Sequence, residues 1–222
     1  MNAIHFTVNA VKATASKGAE VPRVSMEHLQ DRQAALIDAA RDLFTAKGFQ
    51  QTSMNDIARA AGVSDGLAYR YFTSKRALLL AVLDRFYGRL IDDLERSVAE
   101  RSDFAARLSA LVERHLDVFV HDLEMCRLFI SEVRNFSDYA GSDEHDLNRR
   151  YTSILLRILE DGRAEGRVLA SIDDRIVRDM LFGGIEHLAW RHAANGHAID
   201  TAQAARDVTA LLLGGLTRKP AQ

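Results

Sequence analysis

The chain has one cysteine and two prolines among its 222 residues. A lone Cys126 excludes an internal disulfide and fits a reducing, cytoplasmic setting. Two prolines are too few for a proline-rich linker. No apolar run reaches the roughly 18 residues that a membrane span needs, so no membrane partner is expected. The opening stretch MNAIHFTVNAVKATASKGAEVP places no continuous apolar core behind a basic start, and does not read as a secretory signal. Internal repeats and a glycine-rich phosphate loop are also lacking. His187 and His192 lie five residues apart and His115 and His121 six apart, both off-face for shared metal ligation on a helix. Cys126 has no basic partner near it in sequence. No catalytic residue, metal or cofactor is expected, and the chain does not read as an enzyme.

What the chain does contain is helical periodicity over nearly its whole length. Leu36, Ala39, Ala40, Leu43 and Phe44 recur at helical spacing before Gly48. A long stripe follows from near Ser74, through Leu78, Leu79, Val82, Leu83, Phe86, Leu90 and Leu94. Further helices are predicted from Phe104 to Phe119, Glu124 to Phe136, Leu147 to Leu159, Asp173 to Asn195 and Thr201 to Leu216. With two short helices between Met54 and Phe72, the layout is all-α, about nine helices and no strand. At this length the chain can bury one large core or two modest ones.

The stretch TSMNDIARAAGVSDGLAYRYFTSK, Thr52 to Lys75, carries the sharpest local signals. Ser53 stands three residues before Asp56, the spacing of a capping box. Ile57 and Ala61 share a face, Ala58 is small where a neighbour must approach, and Gly62 follows where a positive φ is needed. Ser64 can cap a second helix that exposes Leu67, Tyr69, Arg70 and Tyr71. This is the pattern of a helix-turn-helix, whose second helix enters a DNA major groove. Charge agrees in distribution rather than in sum. Although the whole chain is −2, Asp31 to Leu80 holds seven basic and five acidic residues, and is +2.

Asp56-Ile57-Ala58, Ala61-Gly62-Val63-Ser64, Tyr69-Arg70-Tyr71-Phe72 and Ser74-Lys75 together resemble the DNA-binding domain of the TetR family of bacterial transcription regulators. The preceding Ala40, Leu43, Phe44, Gly48-Phe49 and Thr52-Ser53 are in register with it, and the match runs from about residue 32 to 91. Three segments are expected: an N-terminal arm over 1–30, a helix-turn-helix domain over 31–76, and a helical ligand-binding and dimerisation domain over 77–222. The arm is either a basic tail (Lys12, Lys17, Arg23) tracking DNA backbone or a dispensable extension ahead of Met26.

Within the head, Arg70 is the candidate for bidentate contact with guanine. Leu67 and the Tyr69 ring are candidates for thymine methyls, and Tyr71 and Thr52 for phosphate. Lys75, beside the exposed N–H groups that open the fourth helix, is a candidate anion site. Ser53 and Ser64 complete the expected contact set. The family resemblance assigns DNA contacts to the positions of Tyr69, Tyr71 and Lys75. Asp65 either accepts from a cytosine amino group or caps its own helix. Ala68 and Phe72 are expected inside the head.

The resemblance also implies a homodimer, an imperfectly palindromic double-stranded operator, and a small-molecule effector that releases the protein from DNA, as a repressor. Four glycines, Gly183-Gly184 and Gly214-Gly215, fall inside the last two helices, where each costs about 1 kcal/mol relative to alanine. They permit close helix approach, either within one subunit or across a four-helix dimer interface that includes Met180, Gly183, Gly184, Leu188, Leu212 and Gly215. LFISEVRNF (128–136) and MLFGGIEHLAWRHAANG (180–196) resemble the acyl-CoA-responsive regulators of fatty-acid degradation. On that basis Phe119, Phe129, Phe136, Leu155 and Leu159 are expected to line a tunnel, with Phe86, His115, Tyr151 and Trp190 around it, and Arg127 and Arg134 to meet CoA phosphates. The same residues also fit ordinary core packing and solvated arginines, and His115 fits a satisfied core histidine. The rival class is a helical interaction module or enzyme that binds no DNA.

Overall fold

A computed structural model describes the backbone of residues 23–194 and 199–217, and side chains over 29–191 and 199–217. Lys12 and Lys17 lie outside the described residues, as do Asn195 and Gly196. Nine α-helices are present among the described residues: α1 Arg23–Lys47, α2 Met54–Ala60, α3 Asp65–Tyr71, α4 Lys75–Ala99, α5 Phe104–His121, α6 Leu123–Ser131, α7 Asp143–Ala164, α8 Asp174–Ala194 and α9 Thr201–Leu216. A single antiparallel bridge joins Val168 to Thr217. No helix is long and apolar enough to cross a membrane among these residues.

Two expectations shift. First, the arm expected over 1–30 shares its last residues with α1, which begins at Arg23. Second, the helix expected over 124–136 is broken. α6 stops at Ser131, and a 3₁₀ turn, Val133–Asn135, follows. At the break Glu132 has φ −119° and ψ −58°, and its carboxylate is drawn to α1's far end instead of to solvent.

The head is α1 to α3 closed by the start of α4. Leu36, Ala40 and Phe44 repeat every four residues on α1 and are fully or almost fully buried, against Ile57, Ala58, Ala68, Leu78 and Leu79. Each such buried leucine or phenylalanine contributes about 1.5–3 kcal/mol. In the body, α5 is the central helix and packs on α4, α7 and α9. Its Leu108, Leu111 and Leu116 meet Leu94, Leu155 and Ile158 in one continuous core. The long α4 serves both parts, with Leu78 and Leu79 in the head and Phe86 to Leu94 in the body.

Candidate functional site

The local chemistry of the head follows the capping signals. Ser53 Oγ accepts the Asp56 N–H at 3.1 Å while Asp56 Oδ2 accepts the Ser53 N–H at 3.1 Å, a closed capping box. Asp56 also binds Lys47 and Arg59, and its carboxyl is held well below the usual range, first by the Ser53 hydrogen bond and then by Lys47. Gly62 turns the chain at φ +67°, and Ser64 Oγ then accepts the Leu67 N–H to start α3. Phe72 and Ala68 are buried. Tyr69 is 51% exposed, Arg70 is exposed without an ion-pair partner among the described residues, and Leu67 is half-buried beside them. Ser53, Ser64 and Asp65 are exposed at the helix starts, and Asp65 sits in the first turn of α3.

Three expected phosphate ligands are turned inward. Lys75 Nζ donates to the carbonyls of Phe49 (2.7 Å), Thr52 (2.8 Å) and Gln50 (3.4 Å), and lies 4.3 Å from the centre of the Phe49 ring. An ammonium has three protons, and these carbonyls take them. Burial lowers its pKa, with Glu132 opposing. Thr52 is buried, its hydroxyl donating to Gly48 O at 2.8 Å. The Tyr71 hydroxyl is enclosed, with no hydrogen-bond partner among the described residues. Lys75 and Thr52 therefore fasten the α1–α2 turn, which a spacing argument could not distinguish from reaching outward.

The body encloses a cavity of about 350 Å³ between α4, α5, α6, α7 and α8. Six expected residues line it: Phe86, His115, Phe119, Phe129, Arg134 and Tyr151. Five do not. Leu155 and Leu159 are solid core, and Phe136 packs tilted against Phe49 with ring centroids 5.5 Å apart, outside the cavity. Arg127 pairs with Glu124 and sits 5.8 Å from the centre of the Trp190 ring, on a different surface. Sequence reasoning missed Tyr87, Phe182, Asn148, Arg149, Arg178 and Glu186. A usable signal existed in α7, where Asn148, Tyr151 and Thr152 share one helical face.

Charged and aromatic side chains share the cavity wall, and Arg134 lies 5.6 Å from the centre of the Phe129 ring. Arg149 and Asp179 are exposed, and Arg134 pairs with Glu186 at 2.9 Å across the opening. At the enclosed end the His115 ring meets Phe119 and Phe182 edge-on, with centroids 5.4 and 4.7 Å away, and Nδ1 lies 3.0 Å from the Tyr151 hydroxyl. Burial pushes the His115 pKa down to about 3, so the ring is neutral at physiological pH, and burial likewise raises the Tyr151 hydroxyl.

One short segment touches both the cavity and the head. Phe129 and Arg134 face the cavity. Between and beyond them, Glu132 Oε2 accepts the Phe49 N–H at 2.7 Å, Phe136 packs against Phe49, and Asp138 binds Arg76 Nη1 at 2.7 Å. Arg76, in the first turn of α4, also grips buried Glu144 with Nε–Oε1 at 2.8 Å and Nη2–Oε2 at 3.2 Å. Burial drives the Glu144 carboxyl up, but hydrogen bonds from Arg76, its own backbone and Ser142 outweigh this and hold it low.

On the outer side of α8 and α9, large apolar groups face solvent: Ile176 (60% exposed), Met180 (70%) and Leu211 (78%). Beyond their own helix backbone, Gly183, Gly184, Gly214 and Gly215 have no atom within 4 Å of where a Cβ would stand among the described residues. Close helix packing inside the subunit does not account for them. Leu188 and Leu212 are half-buried on the same two helices.

Comparison with known proteins places both parts. Residues 36–82 match the family model "Bacterial regulatory proteins, tetR family", and residues 101–216 match "Tetracyclin repressor-like, C-terminal domain". A fatty acid metabolism regulator protein of Bacillus subtilis is 25% identical over 194 residues, covering 87% of this chain and all of that protein. The transcriptional repressor KstR2 of Rhodococcus jostii is 26% identical, covering 83% of this chain and 91% of its own. Among solved structures, the transcriptional regulator FadR from Bacillus subtilis in complex with stearoyl-CoA superposes with a TM-score of 0.74 at 26% identity, over 82% of this chain and 98% of that one.

Proposed function

The chain belongs to the TetR family of bacterial regulatory proteins, and from that premise we propose that it is a homodimeric repressor, released from a palindromic operator when a CoA thioester fills the cavity of its body. Its relatives are transcription regulators, not enzymes. The observation that carries the effector reading is a cavity wall of aromatic rings with Arg134, Arg149 and Arg178 beside Asp179 and Glu186, on the scaffold that holds stearoyl-CoA in a relative. Phe86, Phe119 and Phe129 take the acyl group; Arg134, Arg149 and Arg178 take phosphate, for which the guanidinium fork is suited.

Release requires the effector to favour an arrangement of the heads that does not fit DNA. The segment from Phe129 to Asp138 supports such coupling, because it borders the cavity and holds the α1–α2 turn and Arg76. Two heads bind successive major grooves only at about 34–36 Å separation. The exposed stripe of Ile176, Met180 and Leu211, beside glycines open to a partner backbone, supports pairing through α8 and α9. Arg70 and Tyr69 then read bases in each half-site.

The test is gel retardation of the operator next to the gene, followed by titration of long-chain acyl-CoA. Retardation with release at micromolar acyl-CoA is expected. Retardation that persists at saturating acyl-CoA discards the effector and leaves the DNA reading standing; failure to retard any upstream fragment discards the regulator itself.

A further inference from the structure

Several polar groups of the cavity wall already have hydrogen-bond partners. Thr152 Oγ1 donates to Asn148 O at 3.1 Å, and Tyr87 Oη donates to Asn148 Oδ1 at 3.3 Å. Cys126 Sγ donates to Val118 O at 3.9 Å, and Arg134 is paired with Glu186. His115 and Tyr151, at the enclosed end, are bonded only to each other, at 3.0 Å, among the described residues.

Proton counting shows what this leaves. A neutral imidazole carries one N–H and a phenol one O–H, so the pair holds two donor protons. Their mutual hydrogen bond uses one. If Tyr151 donates to Nδ1, the spare proton is on Nε2; if Nδ1 donates to Tyr151, it is on the phenol. Either way one donor is left over, in a site walled by Phe119 and Phe182. Phenylalanine at both positions would fill similar space with no such donor. A buried donor is ordinarily satisfied.

We infer that His115 and Tyr151 form a recognition pair for an acceptor oxygen in the buried part of the effector. This rests on the cavity being the CoA-thioester site proposed above. That oxygen is supplied either by the thioester carbonyl or by an oxo or hydroxyl group on the acyl chain. The pair thus sets specificity by what the buried portion carries, while the arginines at the mouth read phosphate.

The experiment measures dissociation constants of the full-length protein for three CoA derivatives of equal chain length: a saturated acyl-CoA, the S-alkyl thioether lacking the carbonyl, and an acyl-CoA with an oxo group on the chain. Wild-type protein, Tyr151→Phe, His115→Phe and the double variant are compared, with helical circular dichroism as the check on folding. A carbonyl source gives about tenfold weaker wild-type binding of the thioether than of the saturated ester, the scale of one hydrogen bond. A chain source gives about tenfold tighter binding of the oxo derivative than of the saturated ester. In either case the preference shrinks in the single variants and vanishes in the double one, while thioether affinity holds. Equal wild-type affinity for all three, or a preference that survives in a folded double variant, overturns the inference. Binding of none of the three by the wild type instead removes the CoA-thioester site on which it rests.

Discussion

Glu132 and Phe49 are 83 residues apart, and the carboxylate of the first accepts the backbone N–H of the second at 2.7 Å. The contact joins the cavity's edge to the turn between the first two helices of the head. Gly48 makes room for it: its φ is +86°, and a Cβ there would stand 2.7 Å from Glu132 Oε1. Glu132→Ala leaves the Phe49 N–H without its acceptor and is expected to cost about 1–3 kcal/mol in urea unfolding. It is also expected to reduce the change in operator affinity that saturating effector produces. An undiminished change would mean that the signal bypasses this contact.

Arg70 and Lys75 separate base reading from scaffold. Arg70→Ala is expected to cost about 1–3 kcal/mol on the operator and to relax preference at one base pair, measured by binding to a set of single-base variants. Lys75→Ala is expected to lower the melting temperature by loosening the carbonyls of Phe49, Gln50 and Thr52, and to leave the salt dependence of DNA binding unchanged. A salt slope reduced by about one unit would restore Lys75 as a phosphate ligand.

The outer stripe of α8 and α9 predicts a solution property. Met180→Asp combined with Leu211→Asp buries charge in the proposed seam and is expected to give monomers in sedimentation equilibrium, with operator affinity lost alongside. Dimers that persist in the double variant would place the interface elsewhere.

His115 gives stability a pH dependence with a definite sign. Its folded pKa is depressed to about 3 by burial, below the ordinary value of 6.5. The unfolded chain therefore binds this proton first as pH falls, and stability is lost between pH 6.5 and about 3. His115→Phe removes that contribution. The urea midpoint of the variant is expected to fall less than that of the wild type between pH 7 and pH 4.5; parallel curves would show that the ring is not held neutral.

The head was legible in the sequence because its signals are local. Ser53 with Asp56, Gly62 and Ser64 each act within a few residues, and each cap is present as spaced. The inward hydrogen bonds of Lys75 and Thr52 are not legible in the same way, because the groups they bind belong to another turn of chain. In the body, periodicity identifies a buried face but not what lies opposite. Phe129 and Phe136 follow one another on the same apolar pattern, yet the first meets a cavity and the second meets Phe49. The break that sends them different ways is Glu132, whose partner is too far along the chain for any window of sequence to reveal. Leu155 and Tyr151 are likewise one turn apart on α7, and only the packing of α8 decides that Tyr151 borders open space.

Helix α8 lines the cavity through Arg178, Asp179, Phe182, Gly183 and Glu186, and carries the solvent-facing Ile176 and Met180 on the adjacent face. In the paired molecule proposed above, a bound effector and the neighbouring subunit meet adjacent faces of that one helix. A change on α8 that reshapes the chamber therefore also alters the surface on which the two copies meet. On that proposal, ligand range and assembly are constrained to evolve together.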